Sequence, residues 1–189
     1  MTDIAQRQPS LRIPPAEPDG LLGGIVRAWS RRAYGEVPDP GYVYWHHKQL
    51  MFADLAFERK IAKWNALDAD LKNLAVLGSA AAIGCSWCMD FGYFAAHSAG
   101  DSVEKLSEVP RWRESTVFDE NERAVLEYAE AMTATPPTVT DEMVEQLTVL
   151  LGVKAVVELT MMVAVENLRS RFNSAMGLRS QGFRDRCDL

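Results

Sequence analysis

The sequence predicts an all-α fold of about seven to nine helices, and three observations favour it. Apolar residues recur at helical spacing in segment after segment from residue 21 onward. Residues that start or stop helices separate these segments, such as Asp68 before one of them and Gly100 after the next. Apolar and polar residues never alternate for more than a few positions, so no strand is predicted.

The caps and breakers give each helix its predicted bounds. Asp39 and Pro40 suit a helix start, and the spacing of Asp119 and Glu122 is typical of a capping box. Gly84 interrupts the chain, so that a new helix begins near Cys85. The predicted segments are 21–34, 42–64 as one bent helix or two short ones, 69–83, 85–99, 119–134, a short helix after Thr140, and 153–176.

The chain divides into one domain and two terminal segments. Residues 1–19 contain four prolines and are predicted to form an extended N-terminal arm. Residues 20–180 show no domain break and are predicted to form a single helical domain with a substantial core. Residues 181–189 form a polar C-terminal tail, in which Cys187 is expected to be an exposed thiol without a role.

Composition and charge restrict the classes of partner. Apolar residues make up 48% and charged residues 24% of the chain, which is typical of a globular protein. The net charge of -6 gives no reason to expect binding to nucleic acid or to an anionic membrane. The most apolar run, 147–165, is interrupted by Lys154 and Glu158, so we expect a buried helix there. The first twenty residues have no apolar signal segment, and a cytoplasmic location is expected.

The stretch GCSWCMDFGYFAAHSAG, residues 84–100, contains two of the three cysteines. Residues at i and i+3 share a helix face, so the sulfur atoms of Cys85 and Cys88 can approach bonding distance. If Cys85 stands at a helix start, unpaired amides and the helix dipole favour a thiolate there. This arrangement suits a reversible dithiol–disulfide couple.

Two other interpretations of the pair remain open. A CxxC is often half of a zinc site, and free cysteines are often simply buried. Structural zinc needs four ligands, and the sequence has no second CxxC. The spacing of the three histidines, His46, His47 and His97, matches no zinc pattern, so no metal site is predicted.

With a CxxC pair at the start of a predicted helix, the sequence resembles the carboxymuconolactone decarboxylase-like superfamily and, within it, the AhpD-like alkylhydroperoxidase branch. The resemblance covers about residues 20–180, and the helix–Gly–CxxC–helix arrangement is its most specific element. The segments that carry it are LKNLAVLGSAAAIGCSWCMDFGYFAAHSAG (71–100), FDENERAVLEYAEAMTATPPTVTDEMVEQL (118–147) and VENLRSRFNSAMGL (165–178).

The resemblance implies a helical antioxidant peroxidase that assembles as a homo-oligomer, usually a trimer or hexamer. It implies that Cys88 attacks a hydroperoxide and that Cys85 resolves the intermediate as a disulfide. A dihydrolipoyl group or another thiol reductant protein would then restore the thiols, and no tightly bound cofactor is expected. The dipole of the predicted helix instead favours a reactive Cys85, so the sequence leaves open which cysteine attacks.

The chain departs from the family pattern at two positions of the proton relay. The pattern has a glutamate twelve residues before the first cysteine and a histidine four after the second. Asn73 and Gly92 stand there, and neither can act as a general base. Four residues are candidate substitutes: His46, His47, Asp90 and Glu166.

Each candidate also has a structural interpretation. The adjacent histidines are typical of a surface pair, and Asp90 does not share a helix face with the cysteines. Glu166 shares a face with Arg169 and Asn173, which favours a structural ion network over an acid or base. Trp87 would line an apolar pocket or belong to the core.

The sequence therefore predicts a thiol-dependent oxidoreductase that reduces a hydroperoxide or a disulfide by cycling Cys85 and Cys88. One alternative is a redox-sensing or regulatory module on the same fold, which the absence of the relay residues favours. The other alternative is a decarboxylase-like enzyme acting on a lactone acid, which the CxxC disfavours.

Overall fold

Nine α-helices follow one another in the computed structural model, which describes residues 11–187, and this part of the chain contains no β-strand. The all-α prediction is confirmed. The helices are α1 (Gly20–Tyr34), α2 (Asp39–Tyr44), α3 (Lys48–Ile61), α4 (Ala69–Ile83), α5 (Ser86–Ala99), α6 (Val103–Glu108), α7 (Glu120–Thr133), α8 (Asp141–Leu151) and α9 (Val153–Met176).

Helix α4 lies at the centre of the domain, with α5, α7 and α9 packed around it. Its small residues permit this close packing, since Ala75 and Ala80 are fully buried. A Cβ atom at Gly78 would lie 3.0 Å from Leu126 Cδ2 on α7, so glycine allows these two helices to approach. Helix α8 covers the outer side of α7 and α9.

Several predicted helix ends are confirmed. The side chain of Asp119 accepts the amide N–H of Glu122, and the Glu122 carboxylate accepts the amide N–H of Asp119, which completes a capping box. Gly84 ends α4 with a φ of 78°, a left-handed conformation that favours glycine. The predicted segment 42–64 is divided, because the His47 side chain caps a new helix at Lys48.

Helix α6 and the 3₁₀ turn Val109–Arg111 were not predicted from the sequence. Ser102 caps α6 by accepting the amide N–H of Lys105. The six residues of α6 are too few to display a helical apolar period, so the sequence pattern gave no signal.

Both terminal segments bond to the domain. The amide of Arg12 donates to the carbonyl of Met176, and the amide of Ala16 donates to the carbonyl of Tyr42. Residues 11–19 contain no helix, whereas residues 1–10 of the predicted arm lie outside the described part of the chain. The same holds for residues 188 and 189 of the predicted tail.

The expectation that Cys187 is an exposed tail thiol is wrong. Cys187 is half-buried and packs against an apolar cluster that includes Leu106 and Phe118. The cause is the 3₁₀ turn Arg184–Arg186, which folds the tail back onto the domain. Arg186 reinforces this fold by donating to the carbonyl of Tyr34 and pairing with Glu36.

Across residues 11–187, no helix combines the length and the hydropathy that a membrane span requires. The apolar run 147–165 spans the end of α8 and the first half of α9. The expected buried helix is confirmed for one face only, since Leu159 and Val163 are fully buried whereas Val153 and Val157 are exposed.

Candidate functional site

Cys85 and Cys88 are joined by a disulfide at the N-terminus of α5. The left-handed turn at Gly84 reverses the chain after α4 and places Cys85 at the N-cap of the next helix. The amide N–H of Cys88 donates to Cys85 Sγ over 3.2 Å, so one sulfur atom acts as the cap of α5. The helix start therefore stabilises negative charge on Cys85 when the disulfide is reduced.

Both sulfur-bearing side chains are nearly inaccessible, with 3% of Cys85 and 5% of Cys88 exposed. Ala80 of α4 is the third buried member of their cluster, and Ile83, Trp87 and Met89 pack against it. The surroundings of the disulfide on this side are apolar.

The polar groups that reach the disulfide come from α9 and contact Cys88. Asn173 donates from Nδ2 to Cys88 Sγ over 3.3 Å, and Ser170 Oγ lies 3.3 Å from the same sulfur. Ser170 is fully buried and Asn173 is buried. Because these residues are three apart on α9, they share the face that packs on α5. The two sulfur atoms therefore have different partners, a backbone amide for Cys85 and side chains for Cys88.

Glu166 lies behind Ser170, one turn earlier on α9. Its Oε1 atom is 2.8 Å from Ser170 Oγ, and only 2% of the residue is exposed. Arg169 approaches Glu166 Oε2 at 3.4 Å but donates more closely to Glu58 of α3, with bonds of 2.8 and 2.5 Å. Burial raises the pKa of the Glu166 carboxyl to about 7, although Arg169 and Ser170 oppose the rise.

The two predicted histidines make contacts away from the disulfide. His46 is exposed, and its Nε2 atom lies 2.8 Å from the carbonyl oxygen of Pro14 in the N-terminal segment. His47 is exposed as well and uses its Nδ1 atom to accept the amide N–H of Leu50 as the cap of α3. The structure thus gives both histidines local structural contacts.

Asp90 holds the C-terminal segment against α5. Its carboxylate oxygens accept the amide N–H groups of Gln181 and Arg184 over 2.7 and 2.8 Å. Trp87 supports the same segment, since its Nε1 atom donates to Gln181 Oε1 and its ring stacks on Phe91. Trp87 is half-buried next to the disulfide, in an aromatic cluster.

The two positions that depart from the relay pattern have structural partners. Asn73 donates from Nδ2 to the Asp101 carboxylate over 3.0 Å. At Gly92, a Cβ atom would lie 3.0 Å from Leu77 Cδ2, so α5 approaches α4 too closely for a larger residue without movement. At the position where the family pattern has its relay histidine, α5 therefore packs closely against α4.

An open cleft of about 700 Å³ begins beside the cysteine pair. Gly84 and Ser86, the neighbours of Cys85, belong to its lining, as do Met89 and Trp112. Neither cysteine is among the described residues that line it. The described chain also contains no group of three or more His, Cys, Asp or Glu side chains arranged to hold a metal ion.

Three contributors to the site are not among the residues predicted from the sequence. Ser170 has a sequence signal, since its place four residues after Glu166 and three before Asn173 puts it on their face. Glu58 has no sequence signal for its role, because its partner Arg169 lies 111 residues away. Gln181 has no sequence signal, because its role depends on the folding back of the tail.

Comparisons with known proteins identify a family for the chain. Residues 49–131 match the model of the carboxymuconolactone decarboxylase family. The uncharacterized protein YnjA of Escherichia coli (strain K12) is 36% identical over 162 residues, which cover 82% of this chain and 87% of that protein.

Solved structures of low sequence identity share the fold. An uncharacterized peroxidase-related protein from Ralstonia eutropha JMP134, described as an alkylhydroperoxidase AhpD core, superposes with a TM-score of 0.81 at 18% identity, covering 94% of this chain and 96% of the other. The C82A variant of the debrominase Bmp8, in complex with 2,3,4-tribromopyrrole, superposes with a TM-score of 0.79 at 18% identity, covering 94% of this chain and 97% of the other. The same fold therefore occurs in proteins described by different reactions.

Proposed function

The chain belongs to the carboxymuconolactone decarboxylase family, and we propose that it is a thiol-dependent oxidoreductase that cycles Cys85 and Cys88 between dithiol and disulfide. The observation that carries the proposal is the disulfide at the start of α5, with a different set of hydrogen-bond donors at each sulfur. Each set stabilises a thiolate, which is the reactive form of cysteine. A pair in which either sulfur can leave as a thiolate is suited to reversible exchange.

The oxidising half of the cycle uses a hydroperoxide. The Cys88 thiolate attacks the terminal oxygen, so an S–O bond forms, the O–O bond breaks and two electrons pass from sulfur to oxygen. The alkoxide takes up a proton and leaves as an alcohol. Cys85 then attacks the sulfenic sulfur of Cys88, so the S–S bond forms, and hydroxide leaves as water with the Cys85 thiol proton.

The reducing half uses a dithiol donor such as a dihydrolipoyl group. One donor thiolate attacks the disulfide and forms a mixed disulfide, and the second donor thiol releases the protein pair. Two electrons and two protons pass to Cys85 and Cys88, and the donor becomes a disulfide. The cleft beside Gly84 and Ser86 is the proposed route of approach, since the cysteine side chains themselves are buried.

Peroxide turnover with dihydrolipoamide as donor tests the proposal. We expect turnover in the wild type, none in Cys88→Ser and none in Cys85→Ser. Cys187→Ser is the matched control, because this third cysteine lies outside the disulfide, and its rate should equal that of the wild type. Equal rates in Cys88→Ser and the wild type would overturn the assignment of Cys88 as the attacking residue.

The second candidate function is a redox sensor on the same fold, which the burial of both sulfur atoms favours. In a sensor the cysteine pair would undergo slow thiol–disulfide exchange and would not consume peroxide catalytically. Differential alkylation after oxidation and after reduction separates the two functions. A pair that changes redox state in both directions without catalytic peroxide consumption would indicate the sensor.

A further inference from the structure

We propose that Glu166 is the proton acceptor for the Cys88 thiol and that Ser170 passes the proton between them. This assignment rests on the proposed dithiol chemistry and supplies the relay that Asn73 and Gly92 cannot provide. It uses α9, whereas the family pattern places its relay on the helices that flank the CxxC.

The three groups form a continuous chain of contacts. Ser170 Oγ lies 3.3 Å from Cys88 Sγ and 2.8 Å from Glu166 Oε1, and all three residues are buried. A hydroxyl can accept one hydrogen bond while it donates another. In the reduced protein the Cys88 thiol can therefore donate to Ser170 while Ser170 donates to the Glu166 carboxylate.

The charges around Glu166 leave the pKa of its carboxyl near neutral pH, because burial and Glu58 raise this pKa while Arg169 lowers it. On its own helix it meets Arg169, which Glu58 of α3 holds more closely than Glu166 does. The residues of α4 near this part of α9 are apolar, namely Val76 and Ala80. The two charged residues of α4, Asp70 and Lys72, lie in its first turn. On α7, Thr133 accepts a hydrogen bond from Asn167, and on α5 the facing titratable group is Cys88.

This arrangement makes Glu166 an effective acceptor. Burial raises the pKa of its carboxyl to about 7, so both protonation states are populated at neutral pH. A general base works best when its pKa lies near the working pH. A buried carboxyl without a full ion pair is costly to the fold, which a purely structural role does not explain.

The proton transfer is balanced within the chain. The Cys88 thiol gives its proton to Ser170 Oγ while Ser170 gives its own proton to Glu166 Oε1. The products are a thiolate, an unchanged serine and a neutral carboxylic acid. Asn173 donates to the new thiolate, and after the sulfur attacks a peroxide the proton returns by the same path to the leaving oxygen.

A titration of the Cys88 thiolate tests the proposal without turnover. Cys85→Ser and Cys187→Ser leave Cys88 as the titrating thiol, and serine is also a good N-cap for α5. Ultraviolet absorbance of the thiolate is followed against pH. Because two coupled groups share one proton, we expect two steps, the first near pH 7. Glu166→Gln should leave a single step, and Ser170→Ala should diminish the first.

The matched control is Ser79→Ala. Ser79 is also a fully buried helical serine, but its hydroxyl donates to the carbonyl of Ala75. Its substitution should leave the two steps unchanged. Glu166→Gln and Ser170→Ala act on different atoms, so the proposal stays testable if one of them fails to fold.

Kinetics gives the second readout. At pH 7 the rate of Cys88 oxidation by hydrogen peroxide should fall about a hundredfold in Glu166→Gln, a typical general-base contribution, and stay within twofold in Ser79→Ala. Absence of peroxide turnover in the wild type would defeat the proposed function, but the two-step titration would still support the relay. A Glu166→Gln titration that superimposes on that of its parent overturns the relay.

Discussion

Two buried glutamates on α9, Glu158 and Glu166, lie about two turns apart and have opposite electrostatic environments. Glu158 pairs with Lys72 at 2.6 Å and accepts the amide N–H of Ala66 at 2.7 Å. Burial alone would raise its pKa, but Lys72 and the amide outweigh burial and hold the pKa below the usual value. Glu166 has a weaker cation contact at 3.4 Å, and burial raises its pKa to about 7.

The difference separates two roles on one helix, since Glu158 stabilises the packing and Glu166 is the proposed proton acceptor. Among the described residues, Lys72 pairs with the carboxylate of Glu158 alone, whereas Arg169 is shared and lies closer to Glu58. A full ion pair fixes the charge of Glu158 and stabilises the packing of α4 on α9. The incomplete pair leaves Glu166 free to change protonation beside Ser170 and Cys88.

The largest expected effect is on stability when the structural pair is broken. Glu158→Gln leaves the Lys72 ammonium without its countercharge in a mostly buried place, and we expect a loss of about 3 kcal/mol in the free energy of unfolding. Urea denaturation at pH 7 measures it. An equally large loss of unfolding free energy in Glu166→Gln at pH 7 would contradict the different roles of Glu158 and Glu166.

The second effect is the pH dependence of stability due to Glu166. Its carboxyl has a higher pKa in the folded chain than the usual 4.5, so the folded state holds the proton more tightly. The associated stability is fully present below about pH 4 and is lost as pH rises through about 7, a change of roughly 3 kcal/mol. Glu166→Gln should remove this loss, as unfolding measured between pH 4 and pH 8 will show. Identical pH slopes in both proteins would contradict the assignment.

The third effect tests why Arg169 does not neutralise Glu166. Glu58→Gln removes the competing carboxylate, so Arg169 should pair fully with Glu166 and lower its pKa by roughly one unit. The first step of the Cys88 thiolate titration should move to lower pH by the same amount. Glu36→Gln is a control, because Glu36 pairs with Arg186 elsewhere. No movement of the step in Glu58→Gln would show that Arg169 does not set the Glu166 environment.

The smallest effect concerns Gly92, where the family relay histidine is absent. Alanine gains helix propensity, but its Cβ atom would lie 3.0 Å from Leu77 Cδ2. The gain in helix propensity and the close contact with Leu77 oppose one another, and we expect a change in unfolding free energy of less than about 1 kcal/mol. The Cys88 titration should stay unchanged, since Gly92 has no part in the α9 relay. A loss of the two-step titration in folded Gly92→Ala would place part of the relay on α5.

The sequence pattern was sufficient for the long helices and the cysteine pair. Local signals decide these features: a capping box at Asp119, glycines at 84 and 100, and thiols at i and i+3. The chemistry around Cys88 depends on contacts across more than 80 residues, which no local pattern encodes. The sequence places Glu166 on one helix face with Arg169 and Asn173, but the contact of Ser170 with Cys88 depends on the packing of α5 on α9.

The most direct test of the coupling between Glu166 and the disulfide is a carbon-13 NMR titration of the glutamate carboxyls in the oxidised and the reduced protein. We expect one carboxyl, absent in Glu166→Gln, to titrate in a single step near pH 7 in the disulfide form. Reduction should split that titration into two steps, because Cys88 then shares the proton. A Glu166 carboxyl that titrates identically in both redox states, or near its ordinary value of 4.5, would contradict the coupling between Glu166 and Cys88.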